Sequence, residues 1–254
     1  MEPTAPTPST TTPSTATTPP TRVAGSPVGR RVVLGLLGVG AIGVLTGARI
    51  QDFLERTLGP VVAKDGTGFS ALLPFGRFRI YTVTGSLPRR SAEDWSLRVD
   101  GLVDTPLRIS YDDLRAMEPT SLTKDFQCVT GWRVSDVKWR GVRLADVLDQ
   151  AGVQSGAQAV RFTSFDGAYT ESLSLDQARR HDVIVAYEME GNPLSTAHGG
   201  PVRLYVAPMY GYKSIKGLNG IEVTERVMPG YWEDRGYDVD AWIGMSNGRD
   251  DAGV

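Results

Sequence analysis

Hydrophobic and polar residues alternate with a period of two in four short stretches of the chain. They are Phe78-Arg79-Ile80-Tyr81-Thr82-Val83, Ser96-Leu97-Arg98-Val99, Val160-Arg161-Phe162-Thr163 and Val202-Arg203-Leu204-Tyr205-Val206. Each is bounded by Gly, Pro or Asp, so each predicts a strand with one buried face. Elsewhere the helical period takes over. Ser110 can cap a helix over Tyr111–Met117, with Asp113 placed for a near-capping box. A second helix is predicted from Leu144 to Ala151, stopped by Gly152, and a brief third from Leu175 to Arg180. There is no internal repeat, and strands and helices do not alternate as a doubly wound parallel sheet requires. The pattern predicts a strand-rich α+β domain over residues 69–254.

Upstream the pattern changes twice. Residues 1–29 are rich in Thr, Pro and Ser and nearly devoid of large apolar side chains, which predicts a disordered tail. Arg30-Arg31 then precede an uncharged run from Val32 to Ala48. As a helix that run would reach about 25 Å, against about 30 Å of bilayer hydrocarbon. It is short and carries Gly35, Gly38, Gly40, Gly43 and Gly47, but helical spacing continues through Ile50, Phe53, Leu54 and Leu58 to Gly59-Pro60. A twin-arginine export signal and a transmembrane helix both fit. Residues 30–58 are read as an uncleaved signal that acts as an anchor. The domain would then sit on the extracytoplasmic face of the membrane, or in the periplasm if the signal is cleaved.

Composition narrows the chemistry. The chain has 254 residues, 41% hydrophobic and 22% charged, with a formal net charge of -2. That balance is ordinary for a globular protein and gives no whole-chain signal for nucleic acid, so any basic chemistry must be local. A single cysteine, Cys128, excludes an intramolecular disulfide framework and any zinc site built from several cysteines.

Two blocks could carry chemistry. The first is Asp125-Phe126-Gln127-Cys128-Val129-Thr130-Gly131-Trp132-Arg133-Val134. Its cysteine could be an inert core thiol, or the nucleophile of a thiol hydrolase with His181 or His198 as base. The second runs from His198-Gly199-Gly200-Pro201-Val202-Arg203 to Met209-Tyr210-Gly211-Tyr212-Lys213-Ser214-Ile215-Lys216-Gly217. Arginine offers a planar fork for phosphate, lysine a point charge, and serine and loop amides neutral donors. Taken together, Arg203, Ser214 and Lys216 are equipment for a phosphorylated anionic cofactor. Lys213 alone fits a solvated surface equally well.

The stretch from about Phe78 to Gly244 resembles the molybdopterin-binding domain of the sulfite oxidase superfamily. The resemblance is nearest the single-domain bacterial branch that includes the periplasmic methionine-sulfoxide reductase catalytic subunit. It rests on Phe126 to Trp132, Trp139-Arg140-Gly141-Val142 with Leu144 and Leu148, Val160 to Gly167, and His198 to Gly217, all in the family's order. It implies Mo-molybdopterin as cofactor, with the Cys128 thiolate on molybdenum beside the pterin's dithiolene sulfurs. Thr163, Arg203, Ser214, Ile215 and Lys216 match family pterin contacts, and Thr82 and Val83 match two more near the N-terminal edge. His198 stands where the methionine-sulfoxide reductase branch often has asparagine and sulfite oxidases have histidine. Arg133, Tyr210 and Tyr212 are candidates to position an oxygenated substrate.

What the resemblance implies for activity is two-electron oxygen-atom transfer on a small molecule, with S- or N-oxide reduction favoured. Sulfite oxidation is the alternative within the superfamily, and a surface-anchored binding domain without metal is the alternative outside it. The chain after Lys216 is too short for the dimerisation domain of sulfite oxidases, which implies a monomeric catalytic domain. No Cys-x-x-Cys-His is present, so no intrinsic haem is expected. Electrons would then pass through a separate partner, with a membrane haem protein as one candidate. The aromatic stretch Pro229 to Tyr237 is expected to pack the core, with roofing of the active site as its other reading.

Overall fold

The computed structural model describes residues 78–85 and 88–248. The predicted tail, the predicted anchor helix and the start of the predicted domain at residue 69 lie outside them. Among the described residues no helix is long and apolar enough to cross a membrane.

Two five-stranded sheets carry the domain. The first contains β1 (Ser96–Gly101), β2 (Leu107–Ser110), β5 (Ala159–Ser164), β6 (Thr170–Ser174) and β10 (Leu218–Thr224), in the order β2-β1-β10-β5-β6. Only β1 and β10 run parallel; the other neighbours are antiparallel, which makes the sheet mixed. Leu97 and Val99 of β1 point inward while Arg98 points out beside Asp100, as the alternation predicts. The second sheet contains β3 (Thr120–Gln127), β4 (Arg133–Arg143), β7 (Val183–Met189), β8 (Asn192–Pro193) and β9 (Arg203–Val206). β7 is central: β4 pairs along one edge, and β8 and β9 follow each other along the other. Its Val183-Ile184-Val185-Ala186-Tyr187 run is buried throughout, which removes the alternation that marks a one-sided strand.

Three short helices complete the framework. Helix α1 (Tyr111–Ala116) has the full capping box, in which Ser110 Oγ accepts from the Asp113 amide and the Asp113 carboxylate accepts from the Ser110 amide, both at 3.1 Å. Helix α2 (Leu144–Ala151) ends on Gly152, whose left-handed backbone (φ 71°) lets its amide reach the Leu148 and Asp149 carbonyls. Helix α3 (Leu175–Ala178) stops two residues short of the predicted end; Arg180 lies beyond it and forks onto the Asp182 carboxylate.

One predicted strand is corrected. Phe78–Val83 pairs with neither sheet and runs as an irregular strap. Its alternation marks no buried face. Phe78 packs on Phe126, Trp132 and His198 at ring distances of 5.3, 6.0 and 4.7 Å, while Ile80 and Tyr81 are 42% and 52% exposed.

The core divides in two. A large aliphatic cluster fills the space around the first sheet and the helices, from Trp95 and Leu97 to Ile221 and Val223. A smaller one lies on the second sheet and is aromatic, with Phe126, Trp132, Trp139 and Tyr205 at its centre. Cys128 packs against the edge of this second cluster, where β3 ends.

Candidate functional site

The strand β3 delivers Cys128 through a local irregularity. Its pairing with β4 shifts between Lys124 and Phe126: Asp125 stands opposite two residues, Ser135 and Asp136, so the bulge lies on β4. The Asp125 carbonyl accepts from the Tyr205 hydroxyl at 2.7 Å and its carboxylate from the Asp136 amide at 3.0 Å, which holds the bulge in place. Past the bulge, Phe126 and Gln127 are both buried, and the chain turns at once. The Cys128 carbonyl accepts from the Gly131 amide and its own amide donates to the Trp132 carbonyl, both at 2.9 Å. Gly131 supplies the positive φ (96°) the turn requires. The half-buried Cys128 thus lies in the wall of a cavity of about 260 Å³, with the Thr130 hydroxyl 3.2 Å from its sulfur.

Opposite elements supply positive charge to the same cavity. Arg203 opens β9, is 1% exposed, and is held entirely by carbonyls. Its Nε donates to Leu204 (3.3 Å), its Nη1 to His198 (3.0 Å) and its Nη2 to Ser214 (2.6 Å). The guanidinium lies 5.3 Å and 5.5 Å from the ring centres of Phe126 and Trp139. Burial pulls its pKa down to about 10. Lys216 reaches across Gly199 and donates to the carbonyls of Ala197 (3.0 Å) and Tyr81 (3.2 Å). A Cβ on Gly199 would come within 2.6 Å of the lysine stem, so this crossing requires glycine. Burial, then the charge of Arg203, lowers the Lys216 pKa to about 8. Burial lowers His198 to about 4, with smaller contributions from Arg203 and Lys216. Among the described residues neither Arg203 nor Lys216 has a carboxylate partner. Three nitrogen groups that disfavour one another's charge form a site for an anion.

Of the residues expected at the site, Cys128, His198, Arg203, Ser214, Lys216, Thr82, Val83 and Tyr212 all line this one cavity. Ser214 is fixed from both sides: its hydroxyl accepts from the Val206 amide at 3.0 Å and its carbonyl holds Arg203. Four others lie outside the lining. Thr163 turns its hydroxyl toward Gly220 of β10, where a Cβ would be only 2.2 Å away. Ile215 packs in the aliphatic core, and only its backbone serves the loop, accepting from Leu204. Arg133 forks onto the Gln127 side-chain oxygen at 2.6 and 2.8 Å, bracing the base of the β3–β4 hairpin. Tyr210 is fully buried, its hydroxyl accepting from the Gly244 amide at 3.2 Å.

Sequence reasoning did not single out Phe165 or Tyr169, which also form the walls. Tyr169 donates to the Tyr212 carbonyl at 2.7 Å, tying the turn between β5 and β6 to the loop that carries Ser214. Trp232 and Tyr237 belong to the stretch Pro229 to Tyr237, which therefore both packs and roofs. Lys213 is neither on the surface nor in the cavity wall: it is 1% exposed and bound to Glu171 and Glu233.

These residues fit a phosphorylated metal-binding cofactor. The cavity offers a soft sulfur at one side and two cations without carboxylate partners at another. Among the described residues no three His, Cys, Asp or Glu side chains cluster to hold an ion by themselves, so a metal at Cys128 would take its other ligands from elsewhere.

Comparison with known proteins agrees. Residues 84–232 match the oxidoreductase molybdopterin binding domain family. An uncharacterized oxidoreductase, YuiH, of Bacillus subtilis is 38% identical over 162 residues, covering 63% of this chain and 81% of that one. Sulfite oxidase of Arabidopsis thaliana is 30% identical over 57% of this chain and 46% of its own length. The protein-methionine-sulfoxide reductase catalytic subunit of Ralstonia nicotianae is 28% identical over 65% and 56%. The chain thus spans about half the length of these last two. The sulfane dehydrogenase SoxCD of Paracoccus pantotrophus shares the fold, with a TM-score of 0.52 at 20% identity over 60% of this chain and 46% of that one. The chain belongs to the oxidoreductase molybdopterin-binding domain family of the sulfite oxidase superfamily.

Proposed function

We propose that the cavity binds Mo-molybdopterin and that the protein reduces S- or N-oxides with electrons from a separate redox partner. The observation that carries the reading is the meeting of Cys128, Arg203 and Lys216 in one cavity. Arg203 and Lys216 would receive the cofactor's phosphate, and neutral His198 would lie beside them without adding a third positive charge. The Cys128 thiolate would be the protein's one ligand to the metal. When bound, the cofactor supplies the two-electron oxygen-atom exchange. The chain's part is to bind, orient and exclude water.

The walls near Cys128 favour a neutral organic oxide over sulfite. Val129 and Trp132 flank Cys128 in its turn, Phe126, Phe78 and Tyr81 line the same cavity, and the positive groups would be taken up with the phosphate. Reduction of such an oxide consumes two electrons and two protons and releases water. The distant relatives named for sulfite and for methionine sulfoxide lie on either side of this choice. Residues 30–58 would export the loaded domain by a twin-arginine route and tether it outside the cytoplasm. Replacing Arg30 and Arg31 by lysine should then block export.

Metal analysis is the direct test, on protein made in a host that synthesises the cofactor. About one molybdenum per chain, lost in Cys128→Ser, supports the reading. A well-folded wild type without metal overturns it. A panel of sulfoxides, N-oxides and sulfite, assayed with a dye donor or acceptor, then decides direction and substrate class.

A further inference from the structure

The Cys128 sulfur has one hydrogen-bond donor among the described residues, the Thr130 hydroxyl at 3.2 Å. We propose that Thr130 is a positioning residue that sets the electron donation of the Cys128 thiolate to the metal. The inference rests on the cofactor reading above and assigns a role to a residue that touches the sulfur.

Three observations carry it. First, the geometry is imposed by the backbone. The Cys128–Gly131 turn closes through the Gly131 amide, and the Cys128 amide is fixed to Trp132, so residue 130 stands beside the sulfur whatever its side chain. Second, Thr130 is exposed and lines the cavity, so packing does not demand a threonine here. A surface hydroxyl can satisfy itself with water, yet this one is turned to the sulfur. Third, the rest of the sulfur's surroundings are apolar or aromatic. Val129 and Trp132 flank it in the turn, and neither side chain donates to the sulfur among the described residues. In such surroundings a charge-assisted hydrogen bond matters more than among polar side chains, because Thr130 is the one protein donor on the sulfur among the described residues.

The physical consequence follows from the sulfur lone pairs. A donor on Sγ withdraws electron density from the orbital that would bind the metal, weakening its donation and stabilising the reduced metal relative to the oxidised one. Without the hydroxyl the sulfur donates more strongly. The midpoint potential should then fall, and the sulfur-to-metal charge-transfer band should move to longer wavelength.

The experiment compares wild type with Thr130→Val and Thr130→Ser, each purified as the loaded protein. Val keeps the shape and removes the donor; Ser keeps the donor and removes the methyl. Molybdenum per chain is measured first, then the absorption spectrum and the midpoint potential by dye-mediated titration. The expected result is equal molybdenum in all three, a red-shifted band and lower potential in Val, and wild-type values in Ser. Equal molybdenum with an unchanged band and potential in Val overturns the inference and leaves the cofactor reading standing. So does a shift of the same size in Ser, which would assign the effect to packing. Wild-type protein without molybdenum overturns both.

Discussion

Two buried cations lie ten residues apart in the chain, and their surroundings could hardly differ more. Lys213 and Arg203 are both 1% exposed. Lys213 donates to the Glu171 carboxylate at 2.9 Å, to the Ser172 carbonyl at 3.1 Å and to the Glu233 carboxylate. Arg203 meets only carbonyls and aromatic faces. The first cation is over-neutralised from within, joins β6 to the roofing stretch and is closed to any ligand. The second faces a cavity with its charge uncompensated. Burying a charge is costly unless something opposite accompanies it. The difference teaches how to read a buried cation: one with its own carboxylates holds the structure, and one without them awaits an anion.

The largest effect should come from removing the internally balanced charge. Lys213→Met leaves two carboxylates buried beside each other, and the loss of one partner from a buried ionic group costs about 3–5 kcal/mol. Urea denaturation of the cofactor-free protein measures it. An unchanged midpoint would mean that Lys213 does not hold Glu233, and the comparison would fail at its first half.

Arg203→Met comes next. It costs about 1–3 kcal/mol for each of the three carbonyls left without another partner, but the removal of an uncompensated buried charge offsets that cost. The cofactor-free protein should therefore lose less stability than Lys213→Met does. Molybdenum per chain should drop sharply in Arg203→Met when both proteins are made in the same cofactor-producing host. Full metal content in this variant would show that the cavity's cation is not a phosphate site.

How much of this contrast was legible beforehand is instructive. The capped helices were, because Ser110, Asp113 and Gly152 write their own boundaries. The grouping of Cys128 with Arg203, Ser214 and Lys216 was legible only through the family resemblance, since nothing in the spacing of two such distant blocks joins them. Strand β7 was not singled out, because burial on both faces erases alternation, and the Phe78–Val83 strap imitated a strand although all six of its residues line the cavity and none pairs with a sheet. Sequence set Lys216 with the cofactor group but left Lys213 a solvated surface as an equal reading, and burial of Lys213 corrects that. Three residues apart on one loop, they part company because the partners that decide, Glu171 and Glu233, come from β6 and from the roofing stretch. Thr163 shows the same limit at finer scale: its neighbour Ser164 lines the cavity, and the orientation of the strand end decides between them.

The balanced site should also betray itself in its pH dependence. Burial holds the Glu171 carboxyl well above its ordinary 4.5; Lys213 only partly offsets this, and Glu233 adds to it. The folded state therefore binds more protons than the unfolded one above about pH 4.5. The stability this group contributes is fully present below that pH and is lost as pH rises through the raised value. Glu171→Gln keeps the Lys213–Glu233 pair and removes the titration. Denaturation midpoints of variant and wild type should separate progressively in the variant's favour as pH increases from 4.5. A gap that stays constant with pH would place the Glu171 titration in the ordinary range and undo the picture of an over-neutralised lysine.

The smallest effect tests the unbalanced site through its neighbour. His198 is held down to about 4 by burial first and by the charge of Arg203 second. Its folded value lies below the ordinary 6.5, so the unfolded chain binds more protons between pH 4 and 6.5, and His198 contributes stability above that window that is lost on acidification. In Arg203→Met the imidazole should titrate at a higher pH than in wild type, yet still below 6.5, because burial persists. The chain has two histidines, and His181→Asn assigns the imidazole signals in an NMR titration. A His198 titration that does not move would mean that Arg203 projects no net charge into the cavity, its carbonyl cage having screened it. The two cations would then differ in their partners but not in their electrostatics, and an anion would have no reason to prefer one over the other.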